Sequence, residues 1–279
     1  MHTSFRLIAA LAVIAWRPVP LPPAEREMTI VSRDSSFEAP DSLPAGVTTI
    51  HVENQGAVLR HVAIVRLDSG HTTEDFQAAL ARQGPWPSWI TFLGGPQVPV
   101  ASAPTTVTIS LAPGRYLITS IVRAPDSASH TMVSQIARGM MRPLTVTGHG
   151  QPAPLPRGDV TITLIDYQFY FSQALDAGRH VIRVRNAGPQ PHEIVLVQVM
   201  PGKSLTDLAT WAAERNGPPP AHLIGGVTPM SRLAEALIPV DLEPGEYGLI
   251  CFVPDAQDGH PHFAHGMMRQ FTVAAPALH

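Results

Sequence analysis

The sequence contains a single cysteine, few charged residues and few aromatic residues, and each shortage narrows the choice of protein class. Because one thiol cannot close a disulfide within the chain, no disulfide framework holds this protein together. The thiol of Cys251 must therefore be buried and inert, reactive, or a metal ligand. Charged residues form 15% of the 279 residues and the net charge is −3, which offers no electrostatic basis for binding nucleic acid or an anionic membrane surface.

Long apolar runs are also scarce. One run, at residues 7–16, follows Arg6 and precedes a proline-rich stretch at residues 18–23. This run is too short to span a bilayer but fits the core of a signal peptide. We therefore predict that residues 1–27 are a signal peptide and proline-rich lead, which implies a periplasmic or secreted protein without a membrane span. A disordered N-terminal tail is the alternative.

Proline and glycine are abundant, with 29 and 21 residues, and they separate short runs rich in β-branched side chains. This pattern favours an all-β protein with many turns. The sequence lacks the motifs of common hydrolases, nucleotide-binding loops and zinc proteases, namely Gly-x-Ser-x-Gly, the P-loop and His-Glu-x-x-His. We therefore predict that the protein is not an enzyme.

The chain repeats itself. Two pairs of segments share a pattern: Leu-Ala-Pro-Gly-Arg-Tyr at 111–116 with Leu-Glu-Pro-Gly-Glu-Tyr at 242–247, and Arg-Gly-Met-Met-Arg at 138–142 with His-Gly-Met-Met-Arg at 265–269. If His61 is matched with His192, their offset equals that between the two tyrosines, and the offset is slightly smaller in the methionine segments. Matches that follow the same order along the chain indicate an internal duplication.

The duplication and the proline-rich stretch between the copies predict the domain boundaries. We expect domain 1 at residues 28–148, a short stiff linker at 149–157 and domain 2 at 158–275.

Each copy has the pattern of a β-sandwich. In the second copy, short strands are predicted at residues 160–165, 167–171, 180–186, 193–199, 236–241, 245–252 and 268–273. Residues 204–215 predict an amphipathic helix capped by Ser204 or Thr206, with a counterpart at 73–83. The pair Gly225 and Gly226, which matches Gly94 and Gly95, is interpreted as a turn. Short strands with one inserted helix fit a Greek-key β-sandwich.

Three segments of the second copy resemble plastocyanin-type cupredoxins. Asn-Ala-Gly-Pro-Gln-Pro-His-Glu-Ile-Val-Leu-Val at 186–197 resembles the turn and strand that deliver the first copper histidine of that family. Gly-Glu-Tyr-Gly-Leu-Ile-Cys at 245–251 resembles the strand that ends at the copper cysteine, and residues 262–273 resemble the closing His-x4-Met segment and its strand. The resemblance implies an all-β fold of two tandem cupredoxin-like Greek-key β-sandwiches, each with one inserted short helix.

The same resemblance implies copper as the cofactor, with His192, Cys251, His262 and Met267 as its ligands. Two imidazoles, one thiolate and a weak axial thioether suit copper that changes between Cu(I) and Cu(II). The implied function is electron transfer or copper handling by an exported protein that meets a redox partner protein. The alternative is a metal-free tandem β-sandwich used for binding or assembly.

One spacing departs from the family pattern. The segment between Cys251 and His262 is much longer than the family's usual spacing. His260 and His265 lie close to His262 and are therefore further candidates. His260 and His262 could form a surface zinc or copper site, and a copper or zinc chaperone could use the three histidines and the methionine pair without Cys251.

The first copy serves as an internal comparison. His61 and Met140 are retained, but Ser120 stands where Cys251 is expected and Gln135 stands where His262 is expected. A site without its thiolate and one imidazole should not form a blue-copper centre. We therefore expect domain 1 to be structural or to provide an interaction surface.

Overall fold

A computed structural model of the chain describes residues 26–56, 60–82, 84–99, 105–125, 132–149, 153–214 and 216–275. The predicted signal peptide and lead, residues 1–27, lies outside the described residues except for Arg26 and Glu27, which already belong to the first strand. In the described part of the chain, no helix is long and apolar enough to cross a membrane. We refer to residues 26–149 as the first half and to 153–275 as the second half; the predicted domain boundaries stay predictions.

In the first half the helix is α1 (Thr73–Leu80), and the strands are β1 (Arg26–Ser32), β2 (Phe37–Glu38), β3 (Ser42–Pro44), β4 (Gly46–Asn54), β5 (Arg60–His61), β6 (Ala63–Leu67), β7 (Ile90–Phe92), β8 (Gln97–Val98), β9 (Thr105–Leu111), β10 (Gly114–Thr119), β11 (Arg123–Pro125), β12 (Met132–Ser134) and β13 (Met141–Thr147). In the second half the helix is α2 (Leu205–Glu214), and the strands are β14 (Val160–Ile165), β15 (Gln168–Phe171), β16 (Gly178–Asn186), β17 (His192–Val199), β18 (Ala221–Met230), β19 (Glu235–Leu242), β20 (Gly245–Ile250) and β21 (Met268–Val273).

One sheet runs through both halves. Its strand order is β15-β14-β16-β19-β9-β4-β1-β2, and β19 of the second half pairs antiparallel with β9 of the first. A second layer covers this sheet in each half, with the order β3-β13-β10-β6-β7 in the first and β18-β17-β20-β21 in the second. Side chains of both layers share one apolar core, for example Ile50 with Ile118 and Ile182 with Leu249. The predicted all-β class, with two sandwiches and one short α-helix in each, is confirmed. Each half also has one 3-10 helix among its described residues, at Ile136–Arg138 in the first and at His262–His265 in the second.

Both helices begin with a capping box. Ser204 accepts a hydrogen bond from the backbone N–H of Asp207 at 3.2 Å, and the Asp207 carboxylate accepts one from the Ser204 N–H at 2.8 Å. Thr72 and Asp75 exchange the same two bonds at the start of α1. These bonds satisfy N–H groups that have no partner inside the helix. Of the two predicted caps of α2, Ser204 is the one used.

The second layers of the two halves also meet, along β18. The Thr228 N–H donates to the Gly95 carbonyl at 2.8 Å, and Pro96 forms a bridge with Val227. Pro96 and Val227 each follow the repeated glycine pair directly, so they are equivalent positions and exchanging the halves returns this bridge to itself. The interface therefore follows an approximate two-fold axis that passes beside the bridge.

The repeated glycine pair lies at this interface in both halves. A Cβ atom on Gly95 would collide with the carbonyl oxygen of Val62, and one on Gly226 would collide with the carbonyl oxygen of Ile194. Both glycines have positive φ values, 145° and 128°. The interpretation of Gly225 and Gly226 as a turn is wrong, because both lie inside β18, a strand that the sequence pattern does not predict.

Strand register shows which residues of the two halves are equivalent. Tyr116 pairs with Arg66 across β10 and β6, and Tyr247 pairs with Gln198 across β20 and β17. Since the two tyrosines are equivalent in the repeat, Arg66 corresponds to Gln198.

This register corrects the match made from the sequence. Counting back along the strand from Arg66 and Gln198, His61 occupies the place of Glu193, and Arg60 occupies the place of His192. The sequence match is one position out because the first copy has one extra residue between the histidine strand and the glycine pair.

Candidate metal centre

A turn stabilised by Asn186 places His192 at the start of β17. The Asn186 side chain accepts a hydrogen bond from the Gly188 N–H at 2.8 Å and donates to the carbonyls of Gln190 and Met230, each at 2.7 Å. Asparagine commonly forms such local bonds to the backbone. The turn therefore fixes the chain immediately before His192.

Gly188 leaves room for the support of His192. The Nε2 atom of His192 lies 2.5 Å from Oδ1 of Asp166. A Cβ atom on Gly188 would lie 2.7 Å from that oxygen and 2.8 Å from Nε2. Because any side chain at this position would push the pair apart, Gly188 preserves the contact between the histidine and the carboxylate.

Cys251 follows β20 and is held by backbone bonds on both sides. Its N–H donates to the Met267 carbonyl at 3.2 Å, and its carbonyl accepts from the Phe263 N–H at 2.9 Å. Its Sγ accepts a weak hydrogen bond from the Glu193 N–H at 3.5 Å. The thiol is thus fixed between the strand that begins with His192 and the segment that contains His262.

The residues between Cys251 and His262 form a closed loop, which we call the excursion. The N–H of His262 donates to the Val253 carbonyl at 2.9 Å, and Pro254 forms a bridge with Pro261. Inside the excursion, the Asp255 N–H donates to the His260 carbonyl at 2.7 Å. The two ends of this loop are therefore held together, and His262 lies next to Cys251 despite the long spacing in sequence.

Three predicted ligands converge. The Nδ1 atoms of His192 and His262 are 3.0 Å apart, and the Cys251 Sγ is 3.5 Å from the His262 Nδ1. These three ligand atoms lie within 4.8 Å of one another, and all three side chains are 0% exposed. Nitrogen at about 2.0–2.1 Å and sulfur at about 2.3 Å from one tetrahedral ion lie roughly 3.4–3.6 Å apart. The observed spacing and donor types therefore fit a copper or zinc ion without a large rearrangement.

The surroundings of the two histidines favour neutral rings whose Nδ1 atoms can bind a metal. Burial lowers the pKa of His192, although the Asp166 carboxylate opposes this effect. Burial, and next the neighbouring His192, lower the pKa of His262 to about 4. With a proton on Nε2 facing Asp166, the Nδ1 atom of His192 presents its lone pair to the cluster.

The environment of Cys251 raises the pKa of its thiol, whereas the pKa values of the two histidines are lowered. Burial, and next the nearby Glu193 carboxylate, raise the pKa of Cys251 well above its ordinary value. A buried thiol of this kind is unreactive unless a cation replaces its proton. Cys251 therefore fits a metal ligand better than a reactive thiol.

Met267, the fourth predicted ligand, is placed beside the other three by its backbone. Its N–H donates to the His262 carbonyl at 3.0 Å, and its carbonyl accepts from Cys251. Its side chain is fully buried in the apolar core that also contains Cys251, whereas the side chain of Met268 is only partly buried. Met267 is therefore the inward-facing member of the methionine pair.

The two further candidate histidines lie apart from this cluster. His260 is exposed, and its N–H donates to Asp258 at 2.9 Å. His265 is also exposed, with its Nε2 3.2 Å from Asp258, and it groups with Asp255 and Asp258 rather than with Cys251. The structure does not bring His260 and His262 together as a surface pair, because His262 is buried.

A polar network that the sequence analysis does not identify holds the excursion. The Gln190 amide donates to Asp166 at 3.2 Å and to Asp255 at 2.8 Å, and its carbonyl accepts from the Ala256 N–H at 2.8 Å. The Tyr167 hydroxyl donates to Asp255 at 2.6 Å. Burial would raise the pKa of Asp255, but the bonds from Tyr167 and Gln190 outweigh burial and hold it well below its usual range. The network thus links Asp166, the partner of His192, to the excursion that carries His262.

The first half repeats the backbone of the site without its ligands. The Ser120 N–H donates to the Met140 carbonyl and the Met140 N–H donates to the Gln135 carbonyl, at 3.1 and 3.0 Å, as Cys251, Met267 and His262 do in the second half. The Ser120 hydroxyl and the Gln135 amide are buried and have no hydrogen-bond partner among the described residues. The backbone arrangement of the candidate site thus recurs in the first half, whereas its donor side chains do not.

Glu193 is a further residue that the sequence analysis misses. It is 4% exposed and lies directly after His192, so its amide can reach Cys251. A charged residue at the start of an otherwise apolar strand is the signal that could have identified it.

Comparisons with known proteins return structural similarities alone. No family model matches the chain, and no curated protein matches it either. Similar solved structures include auracyanin from Roseiflexus castenholzii, with 15% identity over 45% of this chain and 100% of that chain at a TM-score of 0.29. A multicopper oxidase from Pseudomonas thermotolerans has 14% identity over 91% of this chain and 69% of that chain, at a TM-score of 0.25. A copper-containing nitrite reductase from Thermus scotoductus has 12% identity over 90% and 62% of the two chains, at a TM-score of 0.22.

These comparisons correct one prediction. The chain is predicted not to be an enzyme, but the similar structures include multicopper oxidases, a nitrite reductase and laccases. The prediction of a non-enzyme is therefore wrong as stated, since the absence of hydrolase and nucleotide-binding motifs does not bear on oxidoreductases with this kind of fold.

Proposed function

We propose that the second half would hold copper through His192, Cys251 and His262, with the thioether of the buried Met267 as a further donor, and that the protein serves electron transfer or copper handling. The observation that supports this proposal is the convergence of two imidazole nitrogens and one thiol sulfur within 4.8 Å in a fully buried position. Copper held by such a donor set supplies a one-electron couple. Export to the periplasm or the cell exterior and a redox partner protein belong to the same proposal.

Each residue of the site contributes a separate effect. Asp166 fixes the ring of His192 through Nε2, and Tyr167 packs edge-on against the ring of His262 with centroids 5.3 Å apart. The Glu193 amide directs a hydrogen bond at the sulfur of Cys251. Ligands that are already fixed before an electron moves need little rearrangement afterwards, and this keeps electron transfer fast.

The test is to load purified apo-protein with Cu²⁺, record its visible spectrum and measure bound metal by elemental analysis. We expect an intense thiolate-to-copper band at one copper per chain, and we expect Cys251→Ser to lose the band. Ser120→Ala is the matched control, because Ser120 occupies the equivalent backbone position in the first half and should leave the band unchanged.

Two outcomes would contradict the proposal: no band in the wild type, or the same band in Cys251→Ser. A wild type that binds no metal would favour the metal-free tandem β-sandwich. Zinc bound at one ion per chain in preference to copper would point to a metal site without redox function.

A further inference from the structure

Glu193 is a buried acidic residue at the contact between the two halves. Its amide and carboxylate reach towards Cys251 on one side and towards the first half on the other. A buried carboxylate is costly unless it is paired and hydrogen-bonded, so its contacts require an explanation.

On the side of the metal centre, Glu193 makes two contacts, one to the side chain of Cys251 and one to the backbone of the following residue. Its N–H donates to the Cys251 Sγ at 3.5 Å, and its Oε1 accepts the N–H of Phe252 at 3.0 Å. Phe252 is the residue after Cys251, so Glu193 clamps the chain at the thiol from two directions.

On the other side, both partners of the second carboxylate oxygen, Oε2, come from the first half. Oε2 lies 2.9 Å from the Nε2 of Gln97 and 3.1 Å from the Nε2 of His61. His61 and Gln97 face each other across β5 and β8, and each is 3% exposed. Because directly opposite residues of paired strands point to the same side, this two-residue ladder delivers both nitrogens to one oxygen.

Both carboxylate oxygens of Glu193 are used. Oε1 accepts from the Phe252 N–H, and Oε2 accepts from the Gln97 amide and lies within hydrogen-bond distance of the His61 Nε2. The His61 Nδ1 has no partner among the described residues. His61 thus serves the contact to Glu193 through one ring nitrogen.

The equivalence of the two residues explains why they meet. Strand register places His61 at the position of Glu193, so exchanging the halves returns this pair to itself. Residues on a two-fold axis face their own counterparts. After duplication, the two copies of one position therefore became a base and an acid that complement each other.

We propose that the first half positions the candidate metal centre through Glu193: His61 and Gln97 hold one oxygen of its carboxylate, the other oxygen holds the Phe252 N–H beside Cys251, and the Glu193 N–H reaches the Cys251 Sγ. This inference rests on the proposed function and assigns a role to the half without ligands. It makes His61, Gln97 and Glu193 positioning residues that tune the preference of the site for Cu(I) over Cu(II).

The test compares Gln97→Leu, Glu193→Gln and the conservative His61→Gln, which keeps an N–H donor, with the control Ser231→Ala. Ser231 also bonds across the interface, accepting from the Phe92 N–H at 2.9 Å, but it takes no part in the Glu193 group. Two quantities are measured: the amide chemical shifts of Glu193 and Phe252 in the metal-free protein, and the reduction potential of the copper-loaded protein.

We expect Gln97→Leu to move both amide signals and Glu193→Gln to move that of Phe252, whereas His61→Gln and Ser231→Ala should leave both signals close to their wild-type positions. Glu193→Gln removes a negative charge beside the sulfur, so it should raise the potential and shift the Cu(I)/Cu(II) affinity ratio by about tenfold. Gln97→Leu leaves the charge less well neutralised and should lower the potential.

Unmoved amide signals, or an unchanged potential in both Gln97→Leu and Glu193→Gln, would overturn the inference. A wild type that binds no copper would instead refute the proposed function. The amide shifts would then decide alone whether the first half positions the Cys251 strand. If Gln97→Leu does not fold, His61→Leu, which removes the other first-half nitrogen from Oε2, gives both readouts.

Discussion

The two halves of this chain share a backbone and differ in their chemistry. The hydrogen bonds that arrange Cys251, His262 and Met267 recur at Ser120, Gln135 and Met140 in the first half. In the second half the side chains at these positions help to bring a sulfur and two nitrogens together, whereas in the first half a hydroxyl and an amide are buried without partners among the described residues. Backbone bonds that any residue can make are therefore retained more readily than a donor set that requires particular side chains.

The halves also differ in what lies on the axis between them. His61 and Glu193 occupy one equivalent position, and they form a complementary pair rather than a repeated one. Three features of the molecule can therefore be compared between the halves: the backbone frame, the candidate ligands on it, and the contact by which one half supports the other.

The backbone frame should respond equally in both halves. Gly95→Ala and Gly226→Ala each place a Cβ against a carbonyl oxygen at positive φ, so each should lower the free energy of unfolding by about 4 kcal/mol or prevent folding. Urea unfolding measures the loss. Gly178→Ala is the control, because it has φ 119° but no atom within 4 Å of the added Cβ, and it should cost only about 1–2 kcal/mol. A large difference between the two glycines would contradict the equivalence of the halves.

Changing one ligand of the second half to its counterpart in the first should remove the metal centre. His262→Gln copies Gln135 and deletes an imidazole from the cluster, so copper affinity should fall about a hundredfold. His265→Gln is the matched control, since His265 is exposed and lies outside the cluster, and it should retain wild-type affinity. Competition with a chromogenic chelator measures both. Equal losses in the two variants would indicate that the copper is bound elsewhere.

The reverse change tests the strand register. Ser120→Cys with Gln135→His restores two ligands in the first half, but Arg60, and not His61, stands at the position of His192. Adding Arg60→His should therefore raise copper affinity of the first half by about tenfold over the double variant. The measurement is made in a Cys251→Ser background so that the second half is silent. If His61→Ala instead abolished binding by the double variant, the match made from the sequence would be right.

Most of the fold can be predicted from the sequence because its signals are local and repeated. Alternation of β-branched residues places β14 and β21 with their observed bounds, and Ser204 marks the start of α2. Strand β18 is missed because its Gly-Gly and Pro residues have the signature of a turn. Its strand conformation depends on pairing with β17 and with the first half, which no local pattern records.

The sequence predicts which residue types form the candidate site and their order along the chain, but not their arrangement in space. The sequence identifies His192, Cys251 and His262 but leaves open whether the long excursion between the last two lets them meet. That question depends on the bond between Val253 and His262 and on Gln190, which lies far away in sequence. Glu193 and His61 are missed as a pair for the same reason, since their contact exists only when both halves are assembled.

The smallest expected effect concerns the excursion itself, whose counterpart in the first half is the longer segment between Ser120 and Gln135. Gln190→Leu removes donors to Asp166 and Asp255 and an acceptor for Ala256, so the free energy of unfolding should fall by about 1 kcal/mol. Copper affinity should also fall severalfold, because His192 and His262 lose a shared support.

Gln270→Leu is the matched control for this change, because it breaks bonds to the Leu205 N–H and to Glu246 at a distance from the site. Chemical unfolding and chelator competition should show a similar loss of stability in both variants but weaker copper binding only in Gln190→Leu. If copper affinity were unchanged in Gln190→Leu, the excursion would be held by Tyr167 and its own backbone bonds alone, and the two halves would differ in ligands but not in how their loops are held.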